Sequence, residues 1–350
     1  MLRFSTSAKD DISLDELKVA LKTYKTAKQK NEKFVIRLED ENPEIVELLN
    51  LFGIKADEVS YQTHNLKFHQ QLATKLLMDK KAFNCFCKDN ELQNNYPGTC
   101  KNLPDSQVID NENPFSVRIK KPKNQDKIDD FIILKINKYP TTTFATAIDD
   151  MLNNIELIIA NEKDKVESGK QAYIRESLGY DKKIDYIFLK SLKNAPSANS
   201  LLEQGFLPES IVEYLEKDED EFDLFALKSL NQKHISNLDS LKLATLVGFK
   251  SRDIGELAKY YSKELGTINE IKDKIDKIFS KKDDNLDELK EVVKKAPHFE
   301  KFEEFKEHIK QELKNKELSK ELATLITGDK SANLSDIYPH IKNYIKEIAR

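Results

Sequence analysis

The chain carries a short apolar run, Phe34-Val35-Ile36-Arg37-Leu38, just before the turn-forming segment Glu41-Asn42-Pro43. A run of this length that is bounded by turn residues is typical of a buried strand. Residues 2–4 form a similar apolar segment at the start of the chain. Between the two segments, apolar residues recur at helical spacing, namely Leu17, Ala20, Leu21 and Tyr24. The order strand, helix, strand predicts a βαβ unit and hence a mainly parallel sheet.

The rest of the chain changes its pattern twice. Helical spacing over residues 66–77 and alternation over residues 115–119 flank a cluster of cysteines, so this middle block is interpreted as an insertion. Strands of the main sheet are then predicted to resume, at residues 131–134, 155–159 and 186–189. After about Ser197 the spacing is helical almost to Arg350. The predicted fold class is therefore α/β followed by all-α.

The composition is that of a globular protein with dense but balanced charge. The 350 residues include 57 Lys and Arg against 61 Asp and Glu, which excludes a generic basic nucleic-acid binder and restricts any such contact to a local patch. No stretch approaches the roughly 20 consecutive apolar residues of a membrane span. Residues 1–10 lack the apolar segment of a secretion signal. We therefore expect a cytoplasmic protein without a membrane partner.

The 3 cysteines all lie between Cys85 and Cys100. They cannot form a disulfide framework for a chain of this length, and thiolates that cluster in the sequence are typical of a metal site. The simpler alternative is that the thiols are buried or merely reduced and that Tyr96, between them, lies on a surface loop. The clustering favours the metal site over this alternative.

Several segments resemble the bacterial glutamyl-tRNA synthetases, which are class I enzymes, and the resemblance runs nearly from end to end. The segments that carry it are Phe34 to Asp40, Asn65 to His69, Ala82 to Cys87, Phe144 to Asp150, Leu202 to Glu209, Leu325 to Gly328 and Leu334 to Pro339. Several positions that the family uses to activate its substrate are altered in this chain. The resemblance therefore implies a shortened and degenerate paralogue of that family.

The resemblance also implies a division into domains. A Rossmann-type domain of class I synthetases would occupy residues 1–60 and 126–197, and it would be interrupted by a zinc-braced α+β insertion of the acceptor-stem type at residues 61–125. A connecting fold would follow at residues 198–236. A helical region similar to the anticodon-binding domain would occupy residues 237–350. This organisation agrees with the order of strands and helices inferred from spacing alone.

The cysteine segment resembles the family's zinc motif, Cys-x-Cys followed by Tyr-x-x-x-Cys. The resemblance implies that Cys85, Cys87, Tyr96 and Cys100 hold a structural zinc ion. Three thiolates and a phenolate complete a tetrahedron, which leaves no open position for a catalytic water molecule. Zinc would therefore brace the insertion rather than take part in chemistry.

The nucleotide site of the family is altered. Where the family has Ser-Pro-Thr-Gly and a histidine motif, this chain has Ser7-Ala8-Lys9-Asp10 and then Ser13-Leu14-Asp15-Glu16. Ser7, Ser13, Asp15 and Glu16 thus mark a vestigial site, without the glycine that lets a backbone approach phosphate closely. Ser13 and Glu16 have the spacing of a capping box, so the helix is predicted to cap itself. These changes argue against ATP as a ligand.

The lysine loop of the family, Lys-Met-Ser-Lys, has no counterpart. Only the segment 190–197 is available between the strand that ends near Leu189 and the next helix. Lys190 and Lys193 are crude replacements at best, because lysines on such a loop are usually solvated. The loop is interpreted as deleted.

The glutamate site is only partly retained. Arg3, Ser7 and Glu39 fall where the family places residues near the substrate amino acid, although Arg3 could equally pair with Glu39 or Asp40. Ala160 stands at the position of the family's carboxylate-binding arginine, and Thr142-Thr143 replace a Tyr-Asn pair. A small-molecule substrate is therefore doubtful.

The adjacent carboxylates Asp149 and Asp150 are interpreted as structural, because neighbours on a helix point in different directions. The favoured function is a catalytically inactive tRNA-binding or regulatory protein, with phosphate contacts from Lys120, Lys121 and Lys123. One alternative is an active glutamate–tRNA ligase with an atypical active site. Another is a protein-interaction subunit of a true synthetase or an amidotransferase.

Overall fold

The computed structural model describes residues 1–87, 96, 98–121, 128–217, 219–281, 286–314 and 318–350. The chain divides into two compact units. The first unit comprises Met1–Ala198 and Asp218–Phe222, and the second comprises Asn199–Lys217 and Asp223–Arg350.

The strands lie in the first unit. In chain order they are β1 (Leu2–Thr6), β2 (Phe34–Leu38), β3 (Glu58–Tyr61), β4 (Ala82–Cys85), β5 (Ser116–Ile119), β6 (Phe131–Leu134), β7 (Leu157–Asn161) and β8 (Asp185–Leu189). Five of them form a sheet in the order β3-β2-β1-β7-β8, and every neighbouring pair in it is parallel. The parallel sheet predicted from the first βαβ unit is therefore confirmed.

Helices of the first unit connect and cover these strands. They are α1 (Leu14–Gln29), α2 (Pro43–Leu51), α3 (Leu66–Met78), α4 (Asp105–Ile109), α5 (Thr142–Leu152) and α6 (Lys165–Ser177). The start of α2 follows from its sequence, because Asn42 accepts a hydrogen bond from the N–H of Glu44 and Pro43 occupies a first-turn position. Helix α1 buries Leu17, Ala20 and Leu21 as their spacing predicts.

The second sheet of the first unit corrects one prediction from the sequence. Strand β6, Phe131–Leu134, was expected in the parallel sheet but pairs antiparallel with β5, and β5 pairs antiparallel with β4. The sheet of the insertion therefore extends beyond residue 125 and ends with β6. A four-residue apolar run is compatible with either kind of sheet, so spacing alone cannot assign it.

The second unit is helical with connecting turns throughout its described residues. Its helices are α7 (Ala198–Glu203), which starts at the last residue of the first unit's long segment, and α8 (Pro208–Leu215), α9 (Leu224–Ser236), α10 (Ser240–Leu246), α11 (Arg252–Ser262), α12 (Ile268–Phe279), α13 (Asp287–Lys295), α14 (Phe302–Leu313), α15 (Ser319–Thr327), α16 (Leu334–Ile341) and α17 (Ile345–Ile348). One apolar cluster draws on most of them and contains buried residues from Leu207 to Ala349. The prediction of a helical C-terminal region is confirmed.

Among the described residues, no helix has both the length and the apolar character needed to cross a bilayer.

Candidate functional site

A cleft of about 300 Å³ opens beside β1 and β7 in the first unit. These two strands are neighbours, but the chain leaves β1 toward β2 on one side and returns to β7 on the other. Ligands of parallel α/β sheets bind at such a reversal of strand order, beyond the carboxyl ends of the strands. The cleft therefore occupies the expected position for a ligand site of this fold.

The start of α1, beside the cleft, is closed by its own side chains. The Oγ atom of Ser13 accepts a hydrogen bond from the N–H of Glu16 at 3.2 Å. The Glu16 carboxylate in turn accepts from the N–H of Ser13 at 3.3 Å and from its hydroxyl at 2.7 Å. Thr6 donates to the other Glu16 oxygen at 3.1 Å. The capping box predicted from the sequence is confirmed, and it places a carboxylate where a phosphate would need free N–H groups.

The residues expected at the vestigial nucleotide site do not all line the cleft. Ser7 and Glu16 line it, whereas Ser13 and Asp15 do not. Asp15 is buried and accepts from the backbone N–H of Leu192 at 3.0 Å and from the Lys163 ammonium at 2.6 Å. The hydrogen bond to Asp15 raises the pKa of Lys163, with burial acting against it. Asp15 therefore holds neighbouring segments together.

The two lysines of the shortened loop contact the acidic segment that returns to the first unit. The Lys190 ammonium lies 3.1 Å from the Asp220 carboxylate. The backbone N–H of Lys193 donates to the Asp220 carbonyl oxygen at 3.0 Å, and its carbonyl oxygen accepts from Phe222 at 3.0 Å. This arrangement directs the Lys190 side chain toward a carboxylate, and neither lysine lines the cleft.

The residues expected at the glutamate site are separated. Arg3 and Ser7 line the cleft, but Glu39 does not. The Glu39 carboxylate accepts a hydrogen bond from the Thr142 hydroxyl at 2.5 Å. Thr142 itself lines the cleft, together with Ala160, the residue at the position of the family's arginine.

The suggested pairing of Arg3 with Glu39 or Asp40 is wrong. Arg3 grips Asp150 instead, with Nε 2.7 Å from one carboxylate oxygen and Nη2 3.1 Å from the other. Burial lowers the pKa of Arg3, but attraction and hydrogen bonding by Asp150 outweigh it and leave that pKa raised. The side chain of a strand residue reaches the covering helix α5 here, which local sequence could not indicate because the partner lies 147 positions away.

A second buried ion pair, which was not predicted from the sequence, lies beside the first and involves Asp149. Arg37, on β2, donates to Asp149 at 2.8 Å. His69 and Asn65 contact the other Asp149 oxygen at 2.8 and 2.9 Å. Burial raises the pKa of Asp149, but the hydrogen bond of His69 and the charge of Arg37 leave it below its usual value. Arg37 stands among the apolar residues of β2, and this pattern could have indicated a buried arginine that needs an acidic partner.

Asp149 and Asp150 therefore have separate partners. Asp150 also lies 3.4 Å from Arg175 of α6. Both carboxylates are 1% exposed, and each is held by arginine side chains. Their interpretation as structural residues rather than an acid–base pair agrees with these contacts.

The three cysteines converge in the insertion. Their Sγ atoms all lie within 4.8 Å of one another, and those of Cys87 and Cys100 are 3.6 Å apart. Strand β4 ends at Cys85, and Gly98 has a positive φ of 82° in the turn that leads to Cys100. The triad could hold a metal ion.

Tyr96 belongs to the same cluster and is buried, with 9% exposure, rather than on a surface loop. Its hydroxyl oxygen accepts a hydrogen bond from the N–H of Cys100 at 2.6 Å. The Arg118 guanidinium lies 4.5 Å from the centre of its ring and donates to the Cys85 sulfur at 3.4 Å. A positive charge therefore faces the thiols. Burial and the hydrogen bond with Cys100 raise the pKa of Cys87 to about 12.

The lysines expected to contact RNA follow β5. Lys120 is half-buried and its carbonyl oxygen accepts from the Tyr173 hydroxyl at 2.7 Å, whereas Lys121 is exposed. Lys123 lies outside the described residues. Lys120 and Lys121 thus directly follow β5, the strand whose Arg118 contacts Cys85.

Comparisons with known proteins agree with this architecture. The family model for class I tRNA synthetases (E and Q), catalytic domain, matches residues 1–125 and 101–200. A glutamate–tRNA ligase 2 of Sulfurimonas denitrificans is 38% identical over 434 aligned positions, and a glutamate–tRNA ligase 1 of Campylobacter jejuni is 35% identical over 431. Both alignments cover all of each protein. Both alignments are longer than the 350 residues of this chain, so these relatives carry segments that this chain lacks.

Solved structures show the same fold at lower identity. A glutamate tRNA ligase from Elizabethkingia meningosepticum, in complex with its amino acid, has a TM-score of 0.70 and 16% identity, and the match covers 99% of this chain and 98% of the other. A glutamate-tRNA synthetase from Elizabethkingia anophelis gives a TM-score of 0.70 at 17% identity, with the same coverage. The architecture is thus shared with these enzymes.

Proposed function

Because the chain belongs to the glutamyl-tRNA synthetase family of class I aminoacyl-tRNA synthetases, we propose that it binds tRNA without activating glutamate. In this proposal it is a degenerate paralogue whose role is to hold or regulate tRNA. The insertion and the helical second unit supply the binding surface, and the cleft no longer forms an adenylate.

The observation that supports the loss of activation is the closed start of α1. Glu16 occupies its first turn and accepts hydrogen bonds from Ser13 and Thr6. A polyphosphate at this place would meet a carboxylate instead of free N–H groups. Ala160 adds a second defect, because a methyl group cannot replace a guanidinium that grips the substrate carboxylate.

The proposal includes a structural zinc ion on Cys85, Cys87, Cys100 and Tyr96. Two thiolates on tetrahedral zinc lie about 3.8 Å apart when each zinc–sulfur bond is about 2.3 Å long. The 3.6 Å between the sulfur atoms of Cys87 and Cys100 fits that geometry. The Tyr96 hydroxyl, beside Cys100, is the fourth ligand. Zinc would fix the fold of the insertion, and the neighbouring Lys120 and Lys121 would meet phosphates.

The test measures activation and binding separately. Pyrophosphate exchange is followed with glutamate and with each other amino acid, and we expect none. A titration with total tRNA at low salt should show binding that weakens steeply as salt rises, and duplex DNA of similar length serves as the control. Robust exchange would instead support an active ligase with an atypical site. Absence of tRNA binding would support a protein-interaction subunit of a synthetase or amidotransferase.

Charge reversal locates the RNA contact. The double variant Lys120→Glu, Lys121→Glu should weaken tRNA binding, and adding Lys123→Glu should weaken it further. Lys22→Glu is the matched control, because Lys22 is exposed on α1 away from the insertion. Equal weakening by the control variant would show a nonspecific effect of net charge.

A further inference from the structure

The cleft beside β1 and β7 is dominated by negative charge. Its lining carboxylates are Glu16, Asp164 and Glu167, of which Glu167 is paired with Lys170 from outside the lining at 2.5 Å. Among the described residues, the cations that line it are Arg3 and Lys163. Each of these cations already holds a carboxylate from outside the lining, as Arg3 pairs with Asp150 and Lys163 with Asp15. An anionic ligand would therefore find no cation free to receive it.

Asn161 provides an independent sign of a ligand in this cleft. It is the last residue of β7, it lines the cleft, and it is 2% exposed. Its Nδ2 atom donates to the backbone oxygen of Asp15 at 3.5 Å, so its Oδ1 atom is an acceptor, and that atom has no hydrogen-bond partner. Burying a hydrogen-bond acceptor without a donor costs free energy, so a ligand that supplies a donor would stabilise this site. The missing partner is a hydrogen-bond donor.

Asp164 strengthens the preference for a donor with positive charge. It is half-buried at the edge of the cleft, and burial raises its pKa although Lys163 and the backbone N–H of Asn161 oppose that rise. A cation beside this carboxylate would relieve the cost of burying its charge. Glu16 accepts hydrogen bonds from the hydroxyl groups of Thr6 and Ser13 and from the backbone N–H of Ser13, and none of these donors carries a positive charge.

The spacing of these groups favours an organic cation over a metal ion. Among the described residues, the cysteine triad is the one set of three His, Cys, Asp or Glu residues whose ligand atoms lie within 4.8 Å of one another. The carboxylates of the cleft are thus too far apart for three of them to share an ion. Its volume of about 300 Å³ matches the lower end of the range for small organic ligands. A free amino acid would also bring a carboxylate that the cleft cannot pair.

We propose that this cleft binds a small aliphatic diamine or polyamine, whose ammonium groups meet Asp164, Glu16 and the free amide oxygen of Asn161. The inference rests on the proposed loss of glutamate and ATP binding, and it assigns a new ligand class to the same place. The ligand would satisfy the buried acceptor and balance the carboxylates. No bond is made or broken in this binding.

Calorimetry with the full-length protein, treated with nuclease to remove RNA, tests the proposal. The probes are 1,4-diaminobutane and spermidine at low salt. We expect saturable binding that Asp164→Asn weakens about tenfold or more, because a charge-assisted hydrogen bond is lost. The matched control is Glu176→Gln, an exposed carboxylate near the end of α6, the helix that Asp164 directly precedes, and it does not line the cleft. It should leave the affinity unchanged.

A second pair of variants keeps the test decisive if Asp164→Asn folds poorly. Ala160→Arg adds a positive charge to the lining, and Ala160→Met adds similar bulk without charge. The arginine variant should bind both amines more weakly than the methionine variant does. Equal affinity of these two variants would overturn the proposal.

The remaining outcomes separate this inference from the proposed function. No saturable heat with either amine would overturn the inference, as would equal weakening by Asp164→Asn and Glu176→Gln. L-Glutamate is titrated into the same sample. Saturable glutamate binding would contradict the proposed function itself, whereas a lack of amine binding would leave that function untouched.

Discussion

Asp150 is a buried carboxylate whose charge is balanced by arginine side chains. It lies between Arg3 and Arg175 and is 1% exposed. Asp150→Asn leaves the guanidinium of Arg3 buried without its partner, so we expect a loss of about 3–5 kcal/mol in the free energy of unfolding. Urea unfolding followed by circular dichroism measures the loss. The control is Asp181→Asn, an exposed residue, and a similar loss for both variants would contradict the prediction.

Asp149 predicts a dependence of stability on pH. Its pKa is lowered in the folded protein, so the unfolded chain binds its proton more readily. The stabilisation is therefore complete above the unfolded pKa of about 3.9 and is lost as pH falls through the lower folded value. We expect the wild type to lose stability over this acidic window more steeply than Asp149→Asn does. If the free energies of unfolding of the wild type and of Asp149→Asn change equally with pH, Asp149 is not the source of this pH dependence.

At the scale of elements, the insertion is the part most dependent on a ligand. Cys100→Ser should lose zinc and lower the thermal transition, because binding energy of a structural metal is folding energy. Tyr96→Phe retains the ring packed against Arg118 but removes the hydroxyl beside Cys100, so it should bind zinc more weakly. Elemental analysis of protein purified without added metal measures both. Full zinc content in Tyr96→Phe would exclude the phenolate as a ligand, and no zinc in the wild type would exclude the site.

The elements also show where sequence reasoning succeeds. Local signals were sufficient for the start of α1, because Ser13 and Glu16 lie three positions apart and meet in the capping box. They were insufficient for β6, since a four-residue apolar run does not reveal its neighbour in a sheet. The cysteine cluster lay between these cases: the sequence predicted that Cys85, Cys87 and Cys100 come together, and the structure places their sulfur atoms within 4.8 Å of one another, but whether they hold a metal stays a prediction.

At the scale of the whole molecule, the sequence changes on which the proposed loss of activation rests lie in separate places. Glu16 alters the start of α1, Ala160 alters the end of β7, and the segment 190–197 is too short for the family's lysine loop. We therefore predict that Ala160→Arg alone does not restore glutamate-dependent pyrophosphate exchange. Exchange in this variant but not in Ala160→Met would mean that one lost arginine accounts for inactivity. The buried pairs of Arg3 and Arg37 escaped the sequence analysis because folding joins positions more than a hundred residues apart.

The strand order of the parallel sheet has a consequence for synthesis on the ribosome. Strand β1 pairs on one side with β2 and on the other with β7, so residues 2 and 157 are partners. The free edge of β1 stays unpaired until residue 157 is translated, which takes about 8–30 s at 5–20 residues per second. An unpaired edge is a template for association with other chains. The nascent N-terminal βαβ unit is therefore the segment most in need of a chaperone before the sheet closes.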